Sequence, residues 1–449
     1  MKKLKIYKIA LCCVALVGLN NCTSVTSDPQ PQTAVSADKA IVTPTGARAA
    51  LYGAYDALQA NASANAFNSY MGLQYLFFPD LQGGNLRWTG TFTDWSQAST
   101  RTMLTDNASA STTWQQIYYA VNTTNNLIAQ VPKINDPSFT DQKTIIGEAY
   151  FLRAYHYFNL LRYWGDVPIV TDPTLDITPS SFPVRALKAD VYTLVLSDMD
   201  QAIANLPTKN ANGRATIYSA YALKARVHLY RGEWQNAIDA TNMIIGKAAF
   251  SLVPSFTDLF LKQNTAEAIW EIQFNSTDKG FQAFYLFSST LGGRNEVRPS
   301  PALQSAYAAN DARIIKTTDY NEHIKYYRVS TGDDHTIAFR LAEMYLIRAE
   351  AQNELNQVAA AYADINIIRN RAGIGNANIS LQTDQAGLRD EIFLQRRLEL
   401  ALEGHYFFDL VRTGRAATTL ANWNNNQALW PIPQREIQAN PNLIQNPGY

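Results

Sequence analysis

Along this chain the apolar positions fall repeatedly at helical spacing. Aromatic and aliphatic residues recur three and four apart over roughly 45–61, 112–131, 141–164, 186–206, 215–231, 233–247, 341–355, 358–372 and 385–404, which predicts a mainly α fold. Three of these helices share a short word: Tyr150-Phe151-Leu152-Arg153-Ala154, Tyr221-Ala222-Leu223-Lys224-Ala225 and Tyr345-Leu346-Ile347-Arg348-Ala349. In each, the aromatic and the alanine stand four apart on one face, and the basic residue points elsewhere. After the second and third words a turn leads into another helix, with small and branched residues at Ala237 and Ile244, and at Ala361 and Ile368. An aromatic, a small residue, then a small residue in the partner helix is tetratricopeptide-like spacing, and predicts a degenerate helix-hairpin scaffold.

Two stretches break the helical rhythm. The first, about 66–111, holds Phe78-Pro79-Asp80, Gly83-Gly84-Asn85, Arg87-Trp88 and Trp95 among many Ser and Thr. The second, about 250–340, holds a strand candidate (Ala268 to Phe274) and then Phe281, Tyr285, Phe287, Gly292-Gly293, Arg294 and Asn295. Both are too aromatic for disorder, and long loops in a compact protein tend to carry function. The expectation is a mainly α chain interrupted by two irregular, partly β stretches. The tail from Trp430-Pro431-Ile432-Pro433 to Asn446-Pro447-Gly448-Tyr449 reads as extended and turn-like.

The N-terminus changes the picture of where this body works. Lys2, Lys3, Lys5 and Lys8 precede an apolar run from Ile9 to Leu19, which ends in Asn20-Asn21-Cys22. A basic start and about 7–15 apolar residues make an export signal, too short to span a bilayer. Cys22 stands where a lipoprotein signal peptidase would cut, which predicts residues 1–21 as signal and Cys22 as the lipidated first residue. Asn20 and Asn21 stand where small residues are usual, and an ordinary signal peptide ending by chance in a cysteine is the alternative. Thr23 to Thr43, rich in Ser, Thr, Pro and Gln, reads as a flexible tether of roughly 70 Å reach at ~3.3 Å per residue. Residues 44–449 are then the folded domain.

Composition narrows the chemistry. The cysteines are Cys12, Cys13 and Cys22, so after processing no thiol remains for a disulfide, a catalytic nucleophile or a zinc cluster. Removing residues 1–21 takes away four lysines and no acid, so 38 basic and 38 acidic residues become 34 and 38. A mildly acidic body without Lys/Arg clusters argues against nucleic acid and against adsorption to anionic lipid. No Gly-x-Ser-x-Gly elbow, His-Glu-x-x-His helix, P-loop or dinucleotide glycine pattern occurs. The histidines (His156, His228, His323, His335, His405) have no ligand-like spacing, so neither a metal nor a cofactor is expected.

Four ordered segments carry a family resemblance. They are Glu148 to Ala154 running on to Tyr163-Trp164-Gly165-Asp166-Val167-Pro168; Ala342 to Ala351; Arg396 to His405 with Phe408-Asp409-Leu410-Val411-Arg412; and the tail from Pro431-Ile432-Pro433 through Asn440-Pro441-Asn442-Leu443 to Tyr449. With the signal and Cys22, the chain resembles the SusD/RagB family, the surface nutrient-binding lipoproteins of Bacteroidota. The resemblance implies a SusD-like fold, in which a tetratricopeptide-like helix-hairpin scaffold packs against a loop-rich, partly β ligand-binding half; it also implies a place at the cell outer membrane facing outward, and a SusC-like TonB-dependent transporter as partner, over which the protein closes as a lid. It implies a binding protein and not an enzyme. Arg397, Glu399, Glu403 and Arg412 read as an ion-pair network holding the last helix; acid–base chemistry by the two carboxylates with a nearby histidine is the competing reading.

Oligosaccharide recognition needs flat aromatic faces against sugar C–H groups, and planar polar groups for the hydroxyls. The two loop segments supply both. Trp88, Trp95, Tyr285 and Phe287 are the candidate stacking platform, and Asp80, Asn85, Arg87, Arg294 and Asn295 the candidates to orient hydroxyls or an acidic group. Each aromatic has a core-packing reading beside this one. Peptide or glycoprotein uptake, and a purely tetratricopeptide adaptor of the envelope, are the rival functions.

Overall fold

The computed structural model describes residues 36–59, 69–174, 181–315 and 325–449. The signal segment, Cys22 and most of the expected tether lie outside the described residues. Met1–Ala40 forms one unit and Ile41–Tyr449 another. In the first, Ala37–Ala40 is a single helical turn. The second begins with buried Ile41, three residues before the expected start of the folded domain.

Every predicted helix is present, most with shorter ends, while the one expected from 112 begins four residues earlier, at Ala108. They are α1 (Pro44–Asp56), α4 (Ala108–Gln130), α5 (Gln142–Trp164), α6 (Lys188–Asn205), α7 (Ile217–Arg231), α8 (Trp234–Asn242), α9 (Leu341–Glu354), α10 (Val358–Arg371) and α11 (Gln385–Glu399), and α12 (Tyr406–Arg412) follows them. The stretch at 66–111 is not the loop its composition suggested. It contains a five-residue turn of π-helix (Tyr70–Gln74), then α2 (Tyr75–Gly83), strand β1 (Leu86–Trp88) and α3 (Thr93–Thr100). Every residue of α2 is buried. A helix apolar all round carries no amphipathic period, so the pattern that reveals surface helices is missing there. Gly84, in the left-handed region at φ 84°, ends α2 and lets the chain turn into β1.

The three repeated words sit where the scaffold's hairpins close. α5 packs on α6, α7 on α8, α8 on α9 and α9 on α10. Ala154, Ala225 and Ala349 are fully buried, as are Ala237, Ala361 and Ile368 in the partner helices and Ile244 in the turn just after α8. The basic residue of each word also has a repeated job. Arg153 grips Asp198 of α6 at 2.7 Å, Arg348 grips Asp364 of α10 at 2.7 Å, and Lys224 reaches Asp200 of α6 at 2.7 Å. Arg153 and Arg348 lie over the rings of Tyr150 and Tyr345 from the same words. The word therefore encodes a packing notch and an inter-helix ion pair together.

In the second irregular stretch, β2 (Ala268–Ile272) pairs antiparallel with β4 (Thr336–Arg340), and β3 (Val297–Pro299) pairs with β1. β4 runs straight into α9 through Arg340, whose guanidinium is completely buried among carboxylates. It donates to Glu403 (2.7 Å), to Glu399 (2.6 Å) and to Glu267 (3.0 Å). Glu399 also meets Arg371 and, at 3.4 Å, Arg313; Glu403 also meets Lys325. Arg313 is held by Asp311 at 2.7 Å. The backbone carbonyl of Glu399 accepts from Lys325 Nζ (2.7 Å) and Arg340 (2.8 Å), so two cations cap the C-terminus of α11.

This is the ion-pair network expected of Glu399 and Glu403, with different cations. Arg397 and Arg412 do not serve them. Arg397 donates to Asn85 at 2.8 Å, and Arg412 pairs with Asp409 and Glu350. The helix also stops at Glu399, so Glu403 reaches Arg340 from the turn beyond it, where Leu402 takes a left-handed φ of 63°. Burial works to raise both glutamates, but the surrounding guanidiniums hold Glu399 far below the usual carboxylate range and Glu403 below it. His405 is buried, and burial and nearby arginines keep it neutral. Among the described residues no group of His, Cys, Asp and Glu is placed to hold a metal ion.

The tail clamps the end of α5. Trp430 donates to Gln82 Oε1 (2.9 Å), Trp164 to the carbonyl of Pro431 (2.9 Å), and Asn446 to the carbonyls of Trp164 (3.1 Å) and Trp430 (2.8 Å). Two of the resemblance-bearing segments are thus one packed joint.

Two outcomes follow from the Arg340 cluster and the neighbouring Asp409–Arg412 pair. Arg340→Met leaves three buried carboxylates without their shared cation and lowers unfolding free energy by about 3–5 kcal/mol, read from urea denaturation. Because Glu399, Glu403 and Asp409 titrate below their unfolded values, their contribution is complete above about pH 4.5 and is lost as pH falls through the folded values. Thermal melts taken from pH 6 downward will show a midpoint that falls below pH 4.5; a flat midpoint there contradicts the assignment.

Candidate functional site: an arginine–tryptophan ledge

Strands β1 and β3 bring the two loop segments together. Leu86 faces Pro299, Arg87 faces Arg298 and Trp88 faces Val297. Leu86 and Val297 turn inward and are buried, while Arg87 is exposed and Trp88 half-buried. The inner end of the ribbon is pinned by Ser300, whose amide donates to the Asn85 carbonyl (2.8 Å) and whose hydroxyl donates to the Gly84 carbonyl (2.6 Å).

One buried carboxylate organises the outer face. Glu296 Oε1 accepts from Trp88 Nε1 (3.0 Å) and from the backbone amides of Thr91 (2.8 Å) and Phe92 (2.7 Å). Its other oxygen accepts from Arg294 Nε (3.0 Å). The Arg294 guanidinium lies 4.1 Å from the centre of the Phe92 ring and also donates to Thr91 Oγ1 (2.8 Å). Gly90 makes this approach feasible, because a Cβ there would overlap the Glu296 carboxylate. Asn295, left-handed at φ 57°, turns the chain beneath; its carbonyl accepts from Thr89 Oγ1 (2.8 Å) and its side chain accepts from Arg298. The result is a ledge carrying Trp88, Arg294, Asn295 and Arg298, with hydrogen-bonding groups fixed before any ligand arrives, while the alternation of the strand turns exposed Arg87 to the face opposite Trp88. An indole edge flanked by guanidiniums and an amide can stack on a C–H face and bond hydroxyls or an acidic substituent.

The nine residues proposed from sequence divide between ledge and interior. Trp88, Arg294 and Asn295 come together on the ledge, and Arg87 stands exposed on the opposite face of β1. Trp95, Tyr285 and Phe287 are buried and offer no face to a ligand. Trp95 packs on Tyr285 at 5.3 Å, on Phe78 at 5.5 Å and on Phe92 at 6.1 Å, forming the apolar floor beneath the ledge. Asp80 and Asn85 are also fully buried. Asn85 donates to Asp80 (2.7 Å) and accepts from Arg397 (2.8 Å), so they tie α2 to α11. Burial pushes the Asp80 carboxyl up to about 6. Both side chains are spent inside the protein on these bonds.

Sequence reasoning missed Glu296, Gly90, Thr91, Phe92 and Arg298. A lone acid between Asn295 and a short Val-Arg-Pro strand carries no signal of its own. Its partners at 88–92 lie some two hundred positions away, and only the β1–β3 pairing reveals them.

Comparison with known proteins places this architecture. A family described as "SusD family" matches residues 287–449, and one described as "Starch-binding associating with outer membrane" matches residues 56–229. SusD-like protein P38 of Formosa agariphila is 27% identical, with all of both chains aligned. The crystal structure of a SusD superfamily protein from Bacteroides vulgatus superposes with a TM-score of 0.81 over 91% of this chain and 100% of that one, at 21% identity. Surface glycan-binding protein A of Bacteroides thetaiotaomicron, in complex with laminarihexaose, superposes with a TM-score of 0.75 at 20% identity, covering 90% and 99% of the two chains. Matched in both halves, aligned end to end with a SusD-like relative, and built on the same helical scaffold, this chain belongs to the SusD/RagB family.

Proposed function

We propose that this protein is the non-catalytic glycan-binding lipoprotein of an outer-membrane nutrient importer, which captures oligosaccharides and passes them to a SusC-like TonB-dependent transporter. The observation that carries the reading is the β1–β3 ledge, where Glu296 holds both the Trp88 ring and the Arg294 guanidinium, next to Asn295. That is the pairing of flat apolar face and planar hydrogen-bonding groups that a sugar ring requires. A family description that names starch binding and outer-membrane association supports it, as does a fold neighbour holding laminarihexaose. Among the described residues no helix is long and apolar enough to cross a membrane. Attachment through lipid on Cys22 is therefore part of the proposal, with the segment after it serving as the tether that lets a lid swing.

Calorimetry against laminarin, starch and other neutral and acidic glycans tests the ledge. Trp88→Ala and Arg294→Ala should each weaken binding about tenfold while leaving the melting temperature within a few degrees. Gly90→Ala should match them, because its methyl displaces Glu296. Trp95→Ala should instead cost about 3–5 kcal/mol of stability as a core truncation. Unchanged glycan binding in Trp88→Ala would sink the ledge as the site. Cell fractionation tests the anchor: Cys22→Ala should move the protein from the membrane to the soluble fraction, and retention in the membrane contradicts it.

A further inference from the structure

We propose that the glycan this protein takes is an anionic one, whose acidic substituents are received by Arg87 and Arg298 on the outer face of the β1–β3 ribbon. The inference rests on the glycan-binding reading above and names the class of glycan. Arg87 and Arg298 are partners across the ribbon. Residues opposite one another in an antiparallel pair point to the same face, with Cα atoms ~4.5–5.5 Å apart. Arg87 is exposed and Arg298 half-buried, while Leu86, Val297 and Pro299 on the other face are buried.

Two like charges placed directly opposite repel, and cost the ribbon stability unless something neutralises them. Among the described residues nothing does. Neither guanidinium grips a carboxylate, and Arg298 donates to the neutral side chain of Asn295. Exposed arginines elsewhere are spent on acids: Arg48 on Asp141 at 2.6 Å, Arg389 on Glu354 at 2.5 Å and Arg415 on Asp390 at 2.6 Å. The acids near the ribbon are already engaged. Glu296 is taken by Arg294, Trp88 and two amides, and Asp94 accepts from Ser109 of α4. In a chain with 38 basic and 38 acidic residues, this ribbon keeps two adjacent positive charges uncompensated.

The position of the pair points to a glycan. Arg298 leaves β3 opposite Arg87, and its guanidinium reaches Asn295, where the charged face meets the Trp88 ledge. A guanidinium offers a planar fork of donors that suits an oxyanion, so a uronate carboxylate or a sulfate ester bridging the two would remove their repulsion. Hydroxyls alone would leave that repulsion in place. An acidic protein surface would supply the oxygens without a ring for the indole.

The test compares each acidic polymer with its own neutralised form, by affinity electrophoresis and calorimetry on the purified protein. Polygalacturonate against its methyl ester tests the carboxylate; a sulfated galactan against its desulfated product tests the sulfate. At least one acidic polymer should bind about tenfold tighter than its neutral counterpart, and about 0.3 M salt should remove most of that difference. Arg87→Gln and Arg298→Gln should each cost about threefold, and the double variant should abolish the preference. The melting temperature should stay level or rise, because the repulsion is relieved. Equal binding of acidic and neutral forms overturns the proposal without any variant, as does a preference that survives in the double variant. Arginine-dependent binding of polyglutamate, with no acidic glycan bound, overturns it in favour of a protein partner. Trp88-dependent binding without an acidic preference removes this inference and leaves the ledge. An acidic preference that depends on the arginines but not on Trp88 removes the ledge and leaves the pair.

Discussion

The fold turns on a guanidinium with no water around it. Arg340 stands at the junction of β4 and α9, and its buried charge is compensated by Glu267 before β2, Glu399 at the end of α11 and Glu403 in the turn that follows. None of those elements could sit elsewhere without leaving an unpaired charge in the interior, which is far more costly than losing a surface pair. The cluster closes on itself. Four cations (Arg340, Arg371, Arg313, Lys325) face four carboxylates (Glu267, Glu399, Glu403, Asp311), and the last carbonyl of α11 is capped by two of the cations. Lys325 is brought down to about 8 by burial and remains charged at neutral pH. The β2–β4 ribbon is thereby fixed to the scaffold.

The same helix end reaches the ledge by a second route. Arg397, two residues before Glu399, donates to Asn85, which donates to Asp80 in α2. Asn85 in turn accepts from the amide of Ser300 just beyond β3. One turn of α11 therefore positions both the internal ribbon and the outward-facing one. This explains why the Arg396–His405 segment is so compact a signature: its charged residues hold distant parts of the chain in place, and none is left over for acid–base chemistry. Glu399 and Glu403, the pair that resembled a catalytic dyad, are each saturated by two or more cations.

How much of this the sequence discloses depends on whether the signal is local. The scaffold is local. Tyr150, Tyr221 and Tyr345, with alanines four residues on, announce packing notches that the structure contains, and their basic neighbours become inter-helix pairs. Helix α2 was hidden because burial on every side erases the period, and the partners of Glu399 were hidden because Arg313, Arg340 and Arg371 come from other segments. Trp88 and Trp95 show the limit most clearly. Seven residues apart, in similar Thr-rich surroundings, they look alike in sequence. A three-residue strand leaves the first half in solvent, and helix α3 turns the second onto Tyr285 and Phe78.

The division of labour between those tryptophans bears on how the ledge can bind. An open surface cannot surround a ligand, so its affinity depends on how little order it must gain on binding. Glu296 removes much of that cost in advance. It fixes the Trp88 ring through Nε1, the 91–92 backbone through two amides and the Arg294 side chain through Nε, while Gly90 keeps the space it needs. The floor of Trp95, Tyr285 and Phe78 supports that arrangement from beneath with close-packed rings, which transmit strain instead of yielding to it. On the proposed reading, a surface held this firmly selects ligands by shape, accepting an extended glycan whose rings repeat at the right spacing.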